Sequence, residues 1–428
     1  MQKLNIAILS YRSAKFGGGQ GVYIKDISMA LTFMGHKVDV ISGPPYPDLH
    51  EGIDLIKLPG LNLFETFSFK DRVKKFFNKK NKSINDYYEF ISVLFGGFPE
   101  MKTFGYRANI FLKKNNHYDL VIDNQSLSYG VIDIQNRLPL IEIIHHPITF
   151  DFRHELKTSK RIKYKISRYR WYSFLRMQKK VAPNINRIIC PSNSSKKGII
   201  EDFKCKSKNI TVINNGLDGS EFKPVSDSTR NPFRLITTAS ADVPLKGLDY
   251  TLIALKKLKA RYPKIHLIII GTIKENGHTK RLIDNLGIEQ NITFRSNISK
   301  AEIIELYSTS SIAIVSSLYE GFGYPVIEAM SCEVPLIATN TASIPELTGK
   351  YACLVEPKND EAIFTQSEIL QHINEINEQE LDFYESNGYG LDLGFSTRYK
   401  LDNAEGIFGI SASGKPVASV KLPCAASA

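Results

Sequence analysis

Short, almost uninterrupted apolar runs rich in β-branched residues recur along this chain, with longer helical patterns between them. The first half carries LNIAILS (4–10), KVDVISG (37–43), IDLIKLP (53–59), YDLVIDN (118–124), LIEIIHH (140–146), RIICPS (187–192) and ITVINN (210–215). The second half carries FRLITTAS (233–240), IHLIIIG (265–271), ITFRSN (292–297), SIAIVSS (311–317), PLIATN (335–340) and ACLVEP (352–357). A strand that is apolar at consecutive positions must be buried on both faces, and intervening helices supply that cover. The polar, Pro-bearing stretch FKPVSDSTRNP (222–232) reads as a linker. The expected fold is therefore α/β, with two doubly wound domains in series, over 1–224 and 225–365. Ligands of such sheets sit outside the carboxyl ends of the strands, and two domains in series would place them in the cleft between. Residues 366–428 depart from the pattern. SEILQHINEINEQEL (367–381) reads as a helix, and the segments after it alternate like strands around Gly, Ser and Pro turns, giving an atypical tail with no assigned role.

At 428 residues the chain exceeds one ordinary core, and its 43% hydrophobic and 23% charged content is that of a globular protein. No apolar run approaches the roughly 18 residues of a spanning helix, and MQKLNIAILSYRS lacks the pattern of a secretory signal. The five cysteines (Cys190, Cys205, Cys332, Cys353, Cys424) never stand in C-x-x-C spacing, which fits a reducing cytoplasm. The net charge of +11 is uneven. Arg153 to Lys180 holds eleven Lys/Arg against Glu155 alone, and Lys70 to Lys82 holds seven against Asp71. Aromatics are interleaved in both. Ile162, Ile166, Tyr169 and Tyr172 recur at helical steps, flanked by Arg161, Lys163, Lys165, Arg168 and Arg170. The expectation is a helix that docks on an anionic membrane surface, peripheral at its inner face; the alternative is a solvated helix face over core aromatics. No motif supports a nucleic-acid partner.

The candidate chemistry centres on YEGFGYPVIEAM (319–330). Its loop follows the strand IAIVSS, and Pro325 is placed to begin a helix, where its missing N–H is no loss. Glycine amides and a helix start together form an anion cradle. Carboxylates at Glu320 and Glu328 are then suited to accept hydrogen bonds from vicinal diols, so the pattern fits a diphosphate between two sugars. The alternative is an ordinary first-turn acid at Glu328 and a solvated loop acid at Glu320.

This stretch resembles the E-x7-E signature of the family-four retaining glycosyltransferases, which have the GT-B fold. The resemblance continues in FGGGQGVYIKDISMALTFMGHKVDVIS (16–42), IIHHP (143–147), CPSNSSKKGI (190–199), VINNGLDGSEFKP (212–224), ASADVPLKGLDYTLIAL (239–255) and IPEL (344–347). It implies two Rossmann-like domains and a nucleoside-diphosphate sugar as donor. Lys246 would contact the diphosphate, and Glu320 would lie against the donor sugar and the reacting face. Phe322, Gly323 and Tyr324 would offer backbone amides, and Glu328 would hold the ribose hydroxyls. Gly18 and Gly19 would allow close approach of the diphosphate and the acceptor. His145 or His146 would stand near the sugar and the acceptor, with the choice between them open. The acceptor would be a growing polysaccharide or a lipid-linked saccharide. No cofactor is required, and without an Asp-x-Asp motif no metal is expected.

The sequence departs from the family at three places. Ser240 stands where an Arg helps neutralise the diphosphate, Glu333 stands where a turn usually has Gly, and the chain beyond about 366 does not match. Two other functions share the fold: an inactive, membrane-attached sugar-nucleotide-binding subunit, and a GT-B sugar-nucleotide epimerase. A dinucleotide-dependent oxidoreductase is disfavoured because GGGQG, followed by Val22, lacks G-x-G-x-x-G spacing.

Overall fold

The structure, a computed structural model, describes residues 2–13, 19–66, 68–158, 160–226 and 228–375. Each of the thirteen apolar runs overlaps a strand. In the first compact unit these are β1 (Asn5–Ser10), β2 (Lys37–Ser42), β3 (Asp54–Lys57), β4 (Leu120–Asn124), β5 (Leu140–Ile143), β6 (Ile188–Cys190) and β7 (Ile210–Val212). They form one parallel sheet in the order β3-β2-β1-β4-β5-β6-β7. Its helices are α1 (Gly19–Phe33), α2 (Phe69–Asn78), α3 (Ile84–Leu94), α4 (Glu100–Lys114), α5 (Tyr129–Gln135), α6 (Thr149–Thr158), α7 (Ile162–Trp171), α8 (Leu175–Val181) and α9 (Asn193–Phe203).

The second unit holds β8 (Asn231–Thr238), β9 (His266–Ile270), β10 (Ile292–Arg295), β11 (Ser310–Val315), β12 (Leu336–Thr339) and β13 (Cys353–Val355), parallel in the order β10-β9-β8-β11-β12-β13. Its helices are α10 (Leu248–Arg261), α11 (His278–Leu286), α12 (Lys300–Ser308), α13 (Tyr324–Ser331), α14 (Ile344–Thr348) and α15 (Asp360–Glu375). In both sheets the winding reverses beside the first strand, between β1 and β4 and between β8 and β11, which is where ligand crevices form.

The continuous apolar runs are explained by burial on both faces. On β1, Ala7 and Leu9 pack with Phe104 and Leu127 on one side, while Ile6 and Ile8 pack with Ile24 and Val40 on the other. The second sheet repeats this. Leu235, Ile312 and Ile314 meet Leu252 and Leu255, and Ile236, Ala313 and Val315 meet Val326 and Ile327. Each fully buried Leu or Ile contributes about 1.5–3 kcal/mol, so a polar substitution in β1 or β11 would be felt on two faces.

The two compact units divide at Asn214/Asn215, because Phe222 already belongs to the second core, beside Ile236 and Val315. Helix α15 runs through residue 366, anchored by the buried Ile363 and by Asp360, which accepts from Lys257 Nζ at 2.7 Å. The strand-like patterns further on lie outside the described residues. No helix among the described residues is long and apolar enough to cross a membrane.

On α7, Ile162, Ile166 and Tyr169 are exposed. Tyr172 does not share their stripe. It lies past the helix end, buried, with its hydroxyl donating to Glu155 Oε1 at 2.8 Å. Arg168 is drawn to the same carboxylate, at 3.2 Å, so it is not a free surface cation.

Candidate active site

The second unit assembles its candidate site from loops at the carboxyl ends of β8 and β11. After β8 the chain turns through Pro244–Lys246 and enters α10 by way of Gly247, whose φ is +61°. A Cβ there would lie 2.0 Å from the Ser316 carbonyl, so only glycine allows this approach. The turn is fastened to the end of β11: Ser316 Oγ donates to the Gly247 carbonyl at 2.9 Å, and the Leu318 amide donates to the Leu245 carbonyl at 2.7 Å. These bonds bring Lys246 to Glu320, Nζ to Oε1 at 2.6 Å. Ser317 Oγ donates to the same carboxylate oxygen at 2.7 Å. The loop backbone is held by Ser343, whose buried hydroxyl lies 2.9 Å from the Glu320 carbonyl and 2.5 Å from that of Phe322.

Side-chain exposure is 31% for Lys246 and 12% for Glu320. An ion pair this open to water contributes at most about 1 kcal/mol to stability. Its consequence is positional: one cation and one carboxylate are fixed side by side at a strand end, next to a helix start. The cation suits a phosphate oxygen, and the carboxylate suits a hydroxyl or a developing positive charge.

Gly323, at φ +112°, caps α13, which begins one residue before Pro325. The Phe322 side chain is buried, with its ring 5.5 Å from that of Tyr324, so only its backbone is available to a ligand. Glu328 is half-buried on α13. Burial pushes its carboxyl up to about 7, against the opposing pull of Tyr307 and of the charges on Lys246 and Lys300. The Tyr307 hydroxyl stands 3.5 Å from Glu328 Oε2 and 3.0 Å from Thr238 Oγ1. Ser240 is exposed just beyond β8. Glu333 takes φ +55°, which is why a glycine is usual there; the Arg230 guanidinium donates to the carbonyls of Cys332 and Glu333, at 3.0 and 2.9 Å.

In the first unit the histidine pair follows β5. His145 Nε2 lies 2.8 Å from Asn124 Oδ1, and its ring meets Tyr23 edge-on at 4.8 Å. Burial, with His146 adding to it, pushes His145 down to about 3, so the imidazole is neutral. His146 Nε2 lies 3.1 Å from Asp151 Oδ2, both side chains about one-third exposed. Gln125 ties the two residues down: its Oε1 accepts from the His145 amide and its Nε2 donates to the His146 carbonyl, at 2.8 and 2.7 Å. Gly19 opens α1, and Gly18 lies outside the described residues. Sequence reasoning missed Ser317, Ser343, Tyr307, Thr238, Asn124, Gln125 and Asp151. Of these, only Ser317, three residues before Glu320, carried a local signal.

Two family profiles together cover residues 17–381. "Glycosyltransferase Family 4" matches residues 17–221, and "Glycosyl transferases group 1" matches residues 221–381. The MMP alpha-(1->4)-mannosyltransferase of Mycolicibacterium hassiacum is 36% identical over 381 residues, which is 87% of this chain and 91% of that protein. The chain belongs to glycosyltransferase family 4 and is a GT-B glycosyltransferase. The fold is shared with sucrose-phosphate synthase from Thermosynechococcus elongatus (TM-score 0.61, 18% identity, 85% of this chain and 88% of that one). It is shared equally with HepE of Anabaena in complex with UDP and glucose (TM-score 0.59, 17% identity, 86% and 89%).

Proposed function

We propose that this glycosyltransferase moves a hexosyl unit from a nucleoside-diphosphate sugar to a saccharide acceptor, retaining the anomeric configuration and requiring no metal. The observation that carries this reading is the Lys246–Glu320 pair, held at 2.6 Å beside the start of α13. Lys246 takes the leaving diphosphate, and Glu320 stabilises positive charge developing on the sugar. The acceptor oxygen forms its bond to the anomeric carbon on the face from which the diphosphate departs. The carbon–oxygen bond to phosphate breaks, and the acceptor proton passes to the leaving phosphate oxygen. Backbone groups of Phe322, Gly323 and Tyr324 meet the sugar and phosphate, and Glu328 holds the ribose diol. From the family resemblance, Gly18 and Gly19 are assigned to the approach of the diphosphate and the acceptor, and the partly exposed His146, paired with Asp151, serves the acceptor hydroxyls.

Two similar proteins support the substrate class: one is a mannosyltransferase, and HepE is complexed with UDP and glucose. Metal independence rests on the lack of an Asp-x-Asp motif. The test is a screen of common nucleotide sugars with and without chelator. Hydrolysis or transfer of one donor that persists in chelator is expected; turnover only with added metal contradicts the reading.

The acceptor is a polysaccharide or lipid-linked saccharide, reached by a cytoplasmic enzyme docked on an anionic membrane. The exposed Ile166 of α7 adjoins the exposed Leu94 and Phe95 at the end of α3, in a depression also lined by Lys163 and Arg170, and Ile162 and Tyr169 are exposed on the same helix. Each cation near an anionic surface contributes about 1 kcal/mol, screened within a Debye length. Sedimentation should show binding to anionic vesicles that is lost with salt and with Ile162→Glu/Ile166→Glu. Equal binding to neutral vesicles, or none at low salt, rejects the docking.

A further inference from the structure

Tyr307 is the largest side chain of the second core that is almost fully buried, yet it ends in a hydroxyl. Its ring lies among Ile236, Val315 and Val326, so the hydroxyl cannot be redirected by a rotamer change. That hydroxyl has two polar neighbours, Thr238 Oγ1 at 3.0 Å and Glu328 Oε2 at 3.5 Å. An ionised carboxylate only accepts, so the phenol proton points to Glu328 and the threonine hydroxyl donates in turn to the phenol oxygen. The result is a one-way chain from β8 through α12 to α13, ending on a carboxylate.

We propose that Tyr307, itself aimed by Thr238, is the positioning residue that holds the Glu328 carboxylate in the orientation and ionised form in which it accepts the hydroxyls of a vicinal diol. The proposal rests on the reading of Glu328 as the ribose ligand. Protonation would turn Glu328 from a double acceptor into a partial donor and would mismatch a diol. The groups that bear on its charge are few. Lys246 and Lys300 favour the ionised form, Tyr307 favours it by hydrogen bonding, and burial opposes them, with the Cys332 thiol a further titratable neighbour. Removing the phenol hydroxyl deletes a hydrogen bond to the charged form and must raise the carboxyl's proton affinity. Tyr307 then extends diol recognition to lower pH than the buried carboxyl would otherwise allow.

The ring stays in Tyr307→Phe, so the core is preserved, and Thr238→Val is the isosteric second variant. Protein labelled with 13C at glutamate carboxyls reports the Glu328 titration directly, its signal identified by its absence in Glu328→Gln. The midpoint should move upward by about half to one pH unit in Tyr307→Phe, and by less but in the same direction in Thr238→Val. An unmoved or lowered midpoint in Tyr307→Phe overturns the proposal without reference to any ligand. The second arm measures affinity for the nucleotide sugar taken in the donor screen. Tyr307→Phe should bind it about three- to tenfold more weakly near pH 6.5, converge on the parent near pH 9, and keep kcat. Wild-type donor affinity in Glu328→Gln overturns the diol reading itself, whereas weakened binding in Glu328→Gln with pH-independent, unchanged binding in Tyr307→Phe overturns the positioning role alone.

Discussion

Both units wind the same way and both gather polar residues at the carboxyl end of the sheet, yet they build those sites differently. In the second unit, short crossovers bring the Lys246 turn and the Glu320 loop to the end of β11, where Ser316, Ser317 and Ser343 pin them. In the first unit the crossover from β3 to β4 carries α2, α3 and α4, and only α4 presents a broad buried face. Helices α2 and α3 meet through the Phe76–Phe90 stack at 4.1 Å, α3 is tied to α4 through Glu89, and Phe77, Ile91 and Phe95 are left exposed. The second unit is thus a compact charge-bearing site, and the first a histidine site bordered by an elaborated surface. On the proposed reading, donor chemistry in the second unit demands fixed charges at fixed spacing, whereas acceptor binding by the first leaves room for variation.

The comparison breaks first at the ion pair. Glu320→Ala and Lys246→Ala should each lower turnover by about 10²–10³-fold, the scale of losing one electrostatic contact to the transition state. Melting should stay cooperative and nearly unshifted, because the pair is too exposed to add much stability. Unchanged transfer in both variants would remove the second unit's claim to the chemistry. Glu328→Ala should raise donor KM about tenfold with little change in kcat, as expected for a contact equal in ground and transition states. A fall in kcat alone, with donor affinity intact, contradicts the ribose role.

The first unit should respond on the acceptor side. His146→Ala is expected to raise acceptor KM about tenfold while leaving donor hydrolysis unchanged. His145→Ala should instead destabilise the unit by about 1–3 kcal/mol, through loss of the Asn124 hydrogen bond and the Tyr23 contact. If His145→Ala alone impaired acceptor use in a stably folded protein, the two roles would be exchanged. The smallest effect is expected at Glu333. A non-glycine residue at φ +55° costs about 1 kcal/mol, so Glu333→Gly should raise stability by up to that amount, and a lower melting temperature would show that Arg230 already absorbs the strain.

The thirteen strands were readable because runs such as LNIAILS and SIAIVSS are buried on both faces, and nothing but a covered parallel sheet buries them so. Glu320 and Glu328 were read as candidates from one local stretch, YEGFGYPVIEAM, and Lys246 from the resemblance of its segment to the family's Lys-Gly helix start; the structure brings Lys246 and Glu320 side by side. Ser343 and Tyr307 were not, since each reaches the site from a different strand-to-helix crossover and looks like ordinary core in sequence. Tyr172 was misread for a related reason: its helical spacing from Ile162 and Tyr169 ends one residue too late, where the chain has already turned inward toward Glu155.

The central claim is that the Lys246–Glu320 site transfers sugar with retention. Proton NMR of the first product formed from the donor found in the screen reads the anomeric configuration directly, before mutarotation or further chemistry intervenes. The same configuration as in the donor is the predicted result, and the opposite configuration in that first-formed product would contradict the account.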